Sequence, residues 1–186
     1  ISSEILDLLS DLSQRYYVAV EYGIESTYDT TLAHVNRGHS FADSQRAVQL
    51  TRERGLDVGA HFILGLPGES RDMLLSQMEA INGLGLTSIK FHQLQIYRST
   101  PMAKEWAEHP ERFLLNGYDA KDYIGLLVDV VRRLSADVAI ERFASQAPRN
   151  MLLHSPLGGL LVDRLKSDFI EAMRRGGYVQ GDSILR

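Results

Sequence analysis

The chain has no cysteine, so it forms neither a disulfide framework nor a thiolate metal site, and every reading built on either is excluded. It has no apolar run approaching the ~20 residues that a bilayer-spanning helix needs, which removes a transmembrane segment. The opening stretch "ISSEILDLLS" lacks a basic leader and reads as an amphipathic helix; no signal peptide is visible, and the cytoplasm is the expected compartment. The chain starts at Ile1 instead of methionine, in keeping with a trimmed or processed chain. Five prolines are scattered, with no low-complexity tract, no repeat beyond a strand–helix period and no linker that divides the chain.

What remains is 186 residues, 44% hydrophobic and 24% charged, enough to bury a core as one globular domain or one large piece of a domain. The net charge of −4 disfavours a wholly electrostatic nucleic-acid binder but permits a local basic face. Residues 140–186 hold seven Lys/Arg against five Asp/Glu. That is a mild surplus and proves nothing alone.

Apolar, β-branched runs alternate with helix-length amphipathic segments. Residues 16–22 ("YYVAVEY") read as a strand, and residues 40–54 as a helix with Ser40 as N-cap and Gly55 as stop. Residues 57–64 ("DVGAHFIL") are the next strand, residues 70–84 the next helix, and residues 87–96 ("TSIKFHQLQI") the third strand. This βαβαβ order predicts a parallel sheet with ligands at the carboxyl ends of its strands. Beyond Pro101 the pattern predicts helices near 102–108 and 120–134, a strand at 138–143, and a terminal helix from about Leu157 to Arg175. Four strands are too few to close an eight-stranded barrel. The fold class is α/β, as a small open domain or a piece of a larger one.

Glu21 falls near the end of the first strand in this reading, and Glu25 and Ser26 just past it, where a parallel sheet places ligand groups. Two carboxylates there can hold hydroxyls or an ammonium group, and Arg37 can meet a carboxylate or phosphate in a two-pronged contact. A plain surface pair of Glu25 with Arg37 is the alternative. In "HFILGLPGES", Gly65 and Gly68 let a flat ring approach the backbone of Ile63 to Leu66, although a tight strand-to-helix turn explains the same residues. His61 and His92 interrupt apolar strands, and Lys90 shares the face of His92 by the period of two. These three are candidate acid–base groups, with His39 nearby; hydrogen-bonded core histidines are the alternative. A three-histidine metal site lacks helical spacing and no metal ligand is assigned. The polar segment "ERFASQAPRNMLLHSP" is placed across the strand ends or, alternatively, is an ordinary surface crossover.

Taken together, "VEYGIES…NRGHSF", "HFILGLPGES", "IKFHQLQIYRSTPM" and "ERFASQAPRNMLL…GGYVQG" resemble the radical S-adenosylmethionine proteins of the YhcC/YtqA type, relatives of the Elongator-subunit-3-like group, over nearly the whole chain. The resemblance implies a partial (β/α)6 barrel like a TIM barrel, of which residues 1–100 would be the C-terminal half (strands four to six) and residues 101–186 a helical extension within the same unit. It implies S-adenosylmethionine held by Glu25, Ser26 and Arg37, with adenine at Ile63, Gly65 and Leu94, and His61, Lys90 and His92 toward the reaction cavity. It also implies a [4Fe-4S] cluster on a CxxxCxxC loop that these residues do not contain, so the 186 residues alone would be colourless and inactive. The whole protein would cleave S-adenosylmethionine to a 5′-deoxyadenosyl radical with electrons from a flavodoxin or ferredoxin. Its expected substrate is a wobble uridine of tRNA, and no membrane is involved. A free-standing α/β module holding a nucleotide-like ligand without radical chemistry is the competing function.

Overall fold

The structure, a computed structural model, describes residues 1–154 and 161–184. Its centre is a four-stranded parallel sheet in which the strands of residues 19–25, 57–64, 88–93 and 139–142 lie side by side in that order. Helix α1 (Ser3–Ser13), capped by the Ser2 side chain, leads to β1 (Ala19–Glu25). A short helix α2 (Asp29–His34) and α3 (Phe41–Arg52) cross to β2 (Asp57–Leu64). Helix α4 (Arg71–Gly83) then returns the chain to β3 (Ser88–Gln93).

Local chemistry explains the helix starts. Ser40 and Asp43 form a reciprocal capping box on α3, and the Ser70 hydroxyl caps α4, each worth about 1 kcal/mol. After β3 come the two-residue β4 (Ile96–Tyr97), α5 (Pro101–Glu108), α6 (Ala120–Arg133), β5 (Ala139–Arg142), β6 (Leu152–His154) and α7 (Val162–Gly176). Strands β4 and β6 pair antiparallel as a separate ribbon.

Three expectations need correction. The first strand runs over 19–25 rather than 16–22: a turn follows α1, and Tyr16 and Tyr17 are exposed. Glu21 is therefore mid-strand and Glu25 closes the strand. The third strand stops at Gln93, because Leu94 turns its N–H to the Leu64 carbonyl and Ile96 pairs with His154 instead. Helix α2 was not expected; Asp29 opens it and also accepts the Phe41 N–H. Of the expected terminal helix, residues 157–160 lie outside the described residues.

The two faces of the sheet differ. Val58, Ala60, Phe62 and Leu64 of β2, with Ile89 and Phe91 of β3, point into the core beside Val48 of α3, Leu74, Met78 and Ile81 of α4, and Leu126 and Val130 of α6. Burying each large side chain here contributes roughly 1.5–3 kcal/mol. The alternate positions present His61, Ile63, Ser88, Lys90 and His92, all partly exposed, with Glu21 beside them. An all-parallel sheet is ordinarily covered on both faces. This one has a polar, open second face.

Candidate functional site

The open face is ordered by ion pairs that cross the strands. The Glu21 carboxylate takes Lys90 Nζ on Oε1 at 2.5 Å and His61 Nε2 on Oε2 at 2.7 Å. Lys90 also lies 3.2 Å from Glu141 of β5. Register makes this possible: Gly23 of β1 lies opposite His61 of β2, and His61 opposite Lys90 of β3. The Lys90 ammonium, then His61, holds the Glu21 carboxyl below the usual carboxylate range, and Glu21 in turn raises Lys90. His61 and His92 stack with ring centroids 5.4 Å apart. Burial, then the charge of His61, lowers His92, whose Nε2 is buried without a hydrogen-bond partner among the described residues.

At the carboxyl end of β1 the ladder bulges between Gly23 and Glu25. Glu25 adopts φ 71°, a left-handed conformation uncommon for a residue with a side chain. Arg37, from the turn after α2, donates to the Gly23 carbonyl at 2.5 Å and lies 3.4 Å from Glu25 Oε1. Gly23 leaves room for this pair, since a Cβ would stand 2.5 Å from Arg37 Nη2 and 2.7 Å from Glu25 Oε1 unless those flexible ends moved. Burial raises the Glu25 carboxyl, opposed by Arg37, His61 and His39. Glu25 pairs with Phe62, next to Ile63, and the Gly65 bend follows directly on β2. His61, Ile63, Lys90 and His92 thus share the open face of the sheet, with Glu25 and Arg37 at the carboxyl end of β1 and Gly65 just past that of β2.

Ser26 and Leu94 are placed differently. Ser26 is fully buried, and its hydroxyl donates to Glu69 Oε1 at 2.5 Å while accepting the Tyr28 N–H. Its side chain ties β1 to the turn before α4 and is not presented to a ligand. Leu94 is buried with its N–H engaged by Leu64. Gly65, at φ 88°, is packed by Leu115, whose Cγ would lie 2.6 Å from a Cβ there. On that side the missing side chain makes room for Leu115.

The sequence reading missed two devices. Glu69 is only 2% exposed and sits among Ser26, Thr31 and Gln77, with burial raising its carboxyl; these partners come from segments too far along the chain for a local pattern to show them. Gln93 holds Ser145 at both ends, accepting its N–H and donating to its carbonyl. The segment after β5 therefore crosses the end of β3. Among the described residues no group of three or more His, Cys, Asp or Glu is placed to hold a metal ion, and no helix is long and apolar enough to cross a membrane.

Comparison with known proteins matches residues 1–81 to the Radical SAM superfamily and residues 86–165 to the Radical_SAM C-terminal domain. Protein YhcC of Escherichia coli (strain K12) is 38% identical over 154 residues, 82% of this chain and 48% of YhcC. A tRNA uridine(34) acetyltransferase of Methanocaldococcus infernus is 43% identical over 54 residues, 29% of this chain and 10% of that protein. The solved structure of the archaeal Methanocaldococcus infernus Elp3 with an N-terminal deletion superposes with a TM-score of 0.76 at 21% identity, covering 96% of this chain and 39% of that one, and so shares the fold. The chain spans about half the length of YhcC. With both family models matching in order along one α/β unit, the chain belongs to the radical SAM superfamily.

Proposed function

We propose that these residues form the S-adenosylmethionine cradle of a radical enzyme, as the C-terminal half of its partial barrel (residues 1–100) with its extension (101–186). The observation that carries this reading is the Glu25–Arg37 pair on a bulged strand end, one strand from the Gly65 bend and above an open polar face. The residues suit the cofactor: Glu25 would accept from its amino or ribose hydroxyl groups, Arg37 would hold its carboxylate, and the backbone of Ile63, Gly65 and Leu94 would read adenine. Through Leu94 only the carbonyl serves, because its N–H is already engaged. A [4Fe-4S] cluster does not fit these residues, which include no thiolate.

With its cluster carried elsewhere in a longer protein, the cofactor supplies radical hydrogen abstraction; this chain orients it and shields the cavity. The substrate of this reading is a wobble uridine in tRNA, supported by the similarity to a tRNA uridine(34) acetyltransferase. Electrons would come from a flavodoxin or ferredoxin in the cytoplasm. The 186 residues alone are then colourless and inactive.

Calorimetric titration with S-adenosylhomocysteine tests the cradle. Binding is expected, weakened about tenfold or more by Arg37→Ala, since a hydrogen bond to a charged group is worth roughly 1.5–3 kcal/mol. No binding, or binding indifferent to Arg37, overturns the reading. Iron–sulfur absorbance after anaerobic reconstitution of the 186 residues would overturn the placement of the cluster. Unchanged nucleosides in total tRNA from a deletion strain would remove the tRNA substrate. The competing reading, a nucleotide-binding module without radical chemistry, draws on the missing cysteines; equal affinity for adenosine and S-adenosylhomocysteine would favour it.

A further inference from the structure

We infer that His61 is the proton acceptor of this site, acting through Nδ1 on a substrate N–H or O–H, and that Glu21 is the residue that positions it. The inference rests on reading the open sheet face as the wall of the reaction cavity.

The tautomer follows from the contacts. Lys90 bridges Glu21 and Glu141 and keeps Glu21 ionised. An ionised carboxylate only accepts. The 2.7 Å contact from Glu21 Oε2 to His61 Nε2 therefore requires the proton on Nε2, and neutral His61 carries its lone pair on Nδ1. This is the arrangement in which a carboxylate orients an imidazole and stabilises the imidazolium it becomes.

The neighbours assign the remaining roles. Lys90 is only 16% exposed and held between two carboxylates, so it fixes Glu21 and is not itself the base. His92 is stacked on His61 with a buried Nε2, so it supports the ring and does not present that nitrogen. His61 is 30% exposed in its side chain, and its neighbour across the ladder is Gly23, which adds no side chain of its own.

The dyad also adjoins the cradle, since Glu25 and Arg37 close over Gly23. An acceptor flanked by Glu21 and Glu25 takes its proton from a neutral or cationic group more readily than from an anion. In the step, the substrate N–H or O–H bond breaks, its electron pair stays on the heteroatom, the proton joins Nδ1, and solvent later removes it. No oxidant or reductant is involved in that transfer.

Long-range proton–nitrogen spectra of the chain labelled with nitrogen-15 histidine test the tautomer. Expected is His61 protonated on Nε2, and a mixture of tautomers in Glu21→Gln, whose amide no longer imposes acceptance. A His61 protonated on Nδ1 alone in the unaltered chain overturns the inference. In the cluster-loaded whole protein with total tRNA as the probe, His61→Gln should lower kcat about a hundredfold or more and leave KM within about threefold. Glu21→Gln should lower kcat about tenfold or more. Unchanged kcat in His61→Gln also overturns the inference. Failure of S-adenosylhomocysteine to bind, with the expected tautomer intact, sinks the cradle reading alone.

Discussion

Arg37 and Glu25 meet at 3.4 Å across the bulge that ends β1, and the same guanidinium holds the Gly23 carbonyl within that bulge. One side chain from the following turn thus secures a backbone conformation that Glu25 does not favour intrinsically.

Stability and binding should separate at Glu25. Its φ of 71° costs of order 1 kcal/mol for a residue with a side chain and nothing for glycine. Glu25→Gly is expected to raise the melting temperature by roughly 2–4 °C while weakening S-adenosylhomocysteine about tenfold. A fall in both would show that the carboxylate, and not the backbone, dominates this position.

Two glycines should respond oppositely to alanine. At Gly65 the new methyl meets Leu115 and the backbone sits at φ 88°, so Gly65→Ala is expected to lose roughly 1–3 kcal/mol in urea unfolding. At Gly23 the methyl meets the ends of Arg37 and Glu25, flexible groups that move aside. Gly23→Ala should leave unfolding within about 0.5 kcal/mol and reduce S-adenosylhomocysteine affinity; the reverse ranking would contradict the geometry.

Glu69 should make the protein more stable in mild acid than its other carboxylates suggest. Burial raises its carboxyl above the ordinary 4.5, so the folded state binds its proton more readily than the unfolded chain does. That contribution is complete below pH 4.5 and is lost as pH rises through the raised value. Glu69→Gln is expected to be more stable at pH 7 by about 1 kcal/mol, with the gap shrinking toward pH 4.5. Equal urea midpoints for both proteins at pH 7 would refute the assignment.

His92 acts in the other direction. Burial first, then His61, lowers its imidazole below the ordinary 6.5, so its contribution is present above pH 6.5 and is lost as pH falls through the lowered value. His92→Phe should flatten the stability decline on the acid side of pH 6.5 and leave the alkaline side unchanged. A decline of undiminished slope in the variant would count against a neutral His92.

Much of the fold was legible because its signals are local. The cap at Ser40, the stop near Gly55 and the run of 57–64 each lie within a few residues of the element they define. The first strand was misplaced for the same reason: "YYVAVEY" is β-favouring, yet the turn after α1 delays pairing until Ala19. Of the candidate site, the face shared by Lys90 and His92 was legible from the period of two. Its pairings were not, since Glu21 finds His61 forty residues away and Lys90 sixty-nine residues away.

The sequence by itself determined the α/β order, the parallel sheet, the absence of any thiolate ligand and the polar period on β2 and β3, because propensity, capping and alternation act over a few residues. Tertiary structure alone decided that Glu25 turns through a bulge, that Leu115 fills the space beside Gly65, that Ser26 faces inward to Glu69, and that Glu21 takes a histidine on one oxygen and a lysine on the other. Those outcomes depend on the lateral register of strands and the packing of distant loops, which no short window of residues contains.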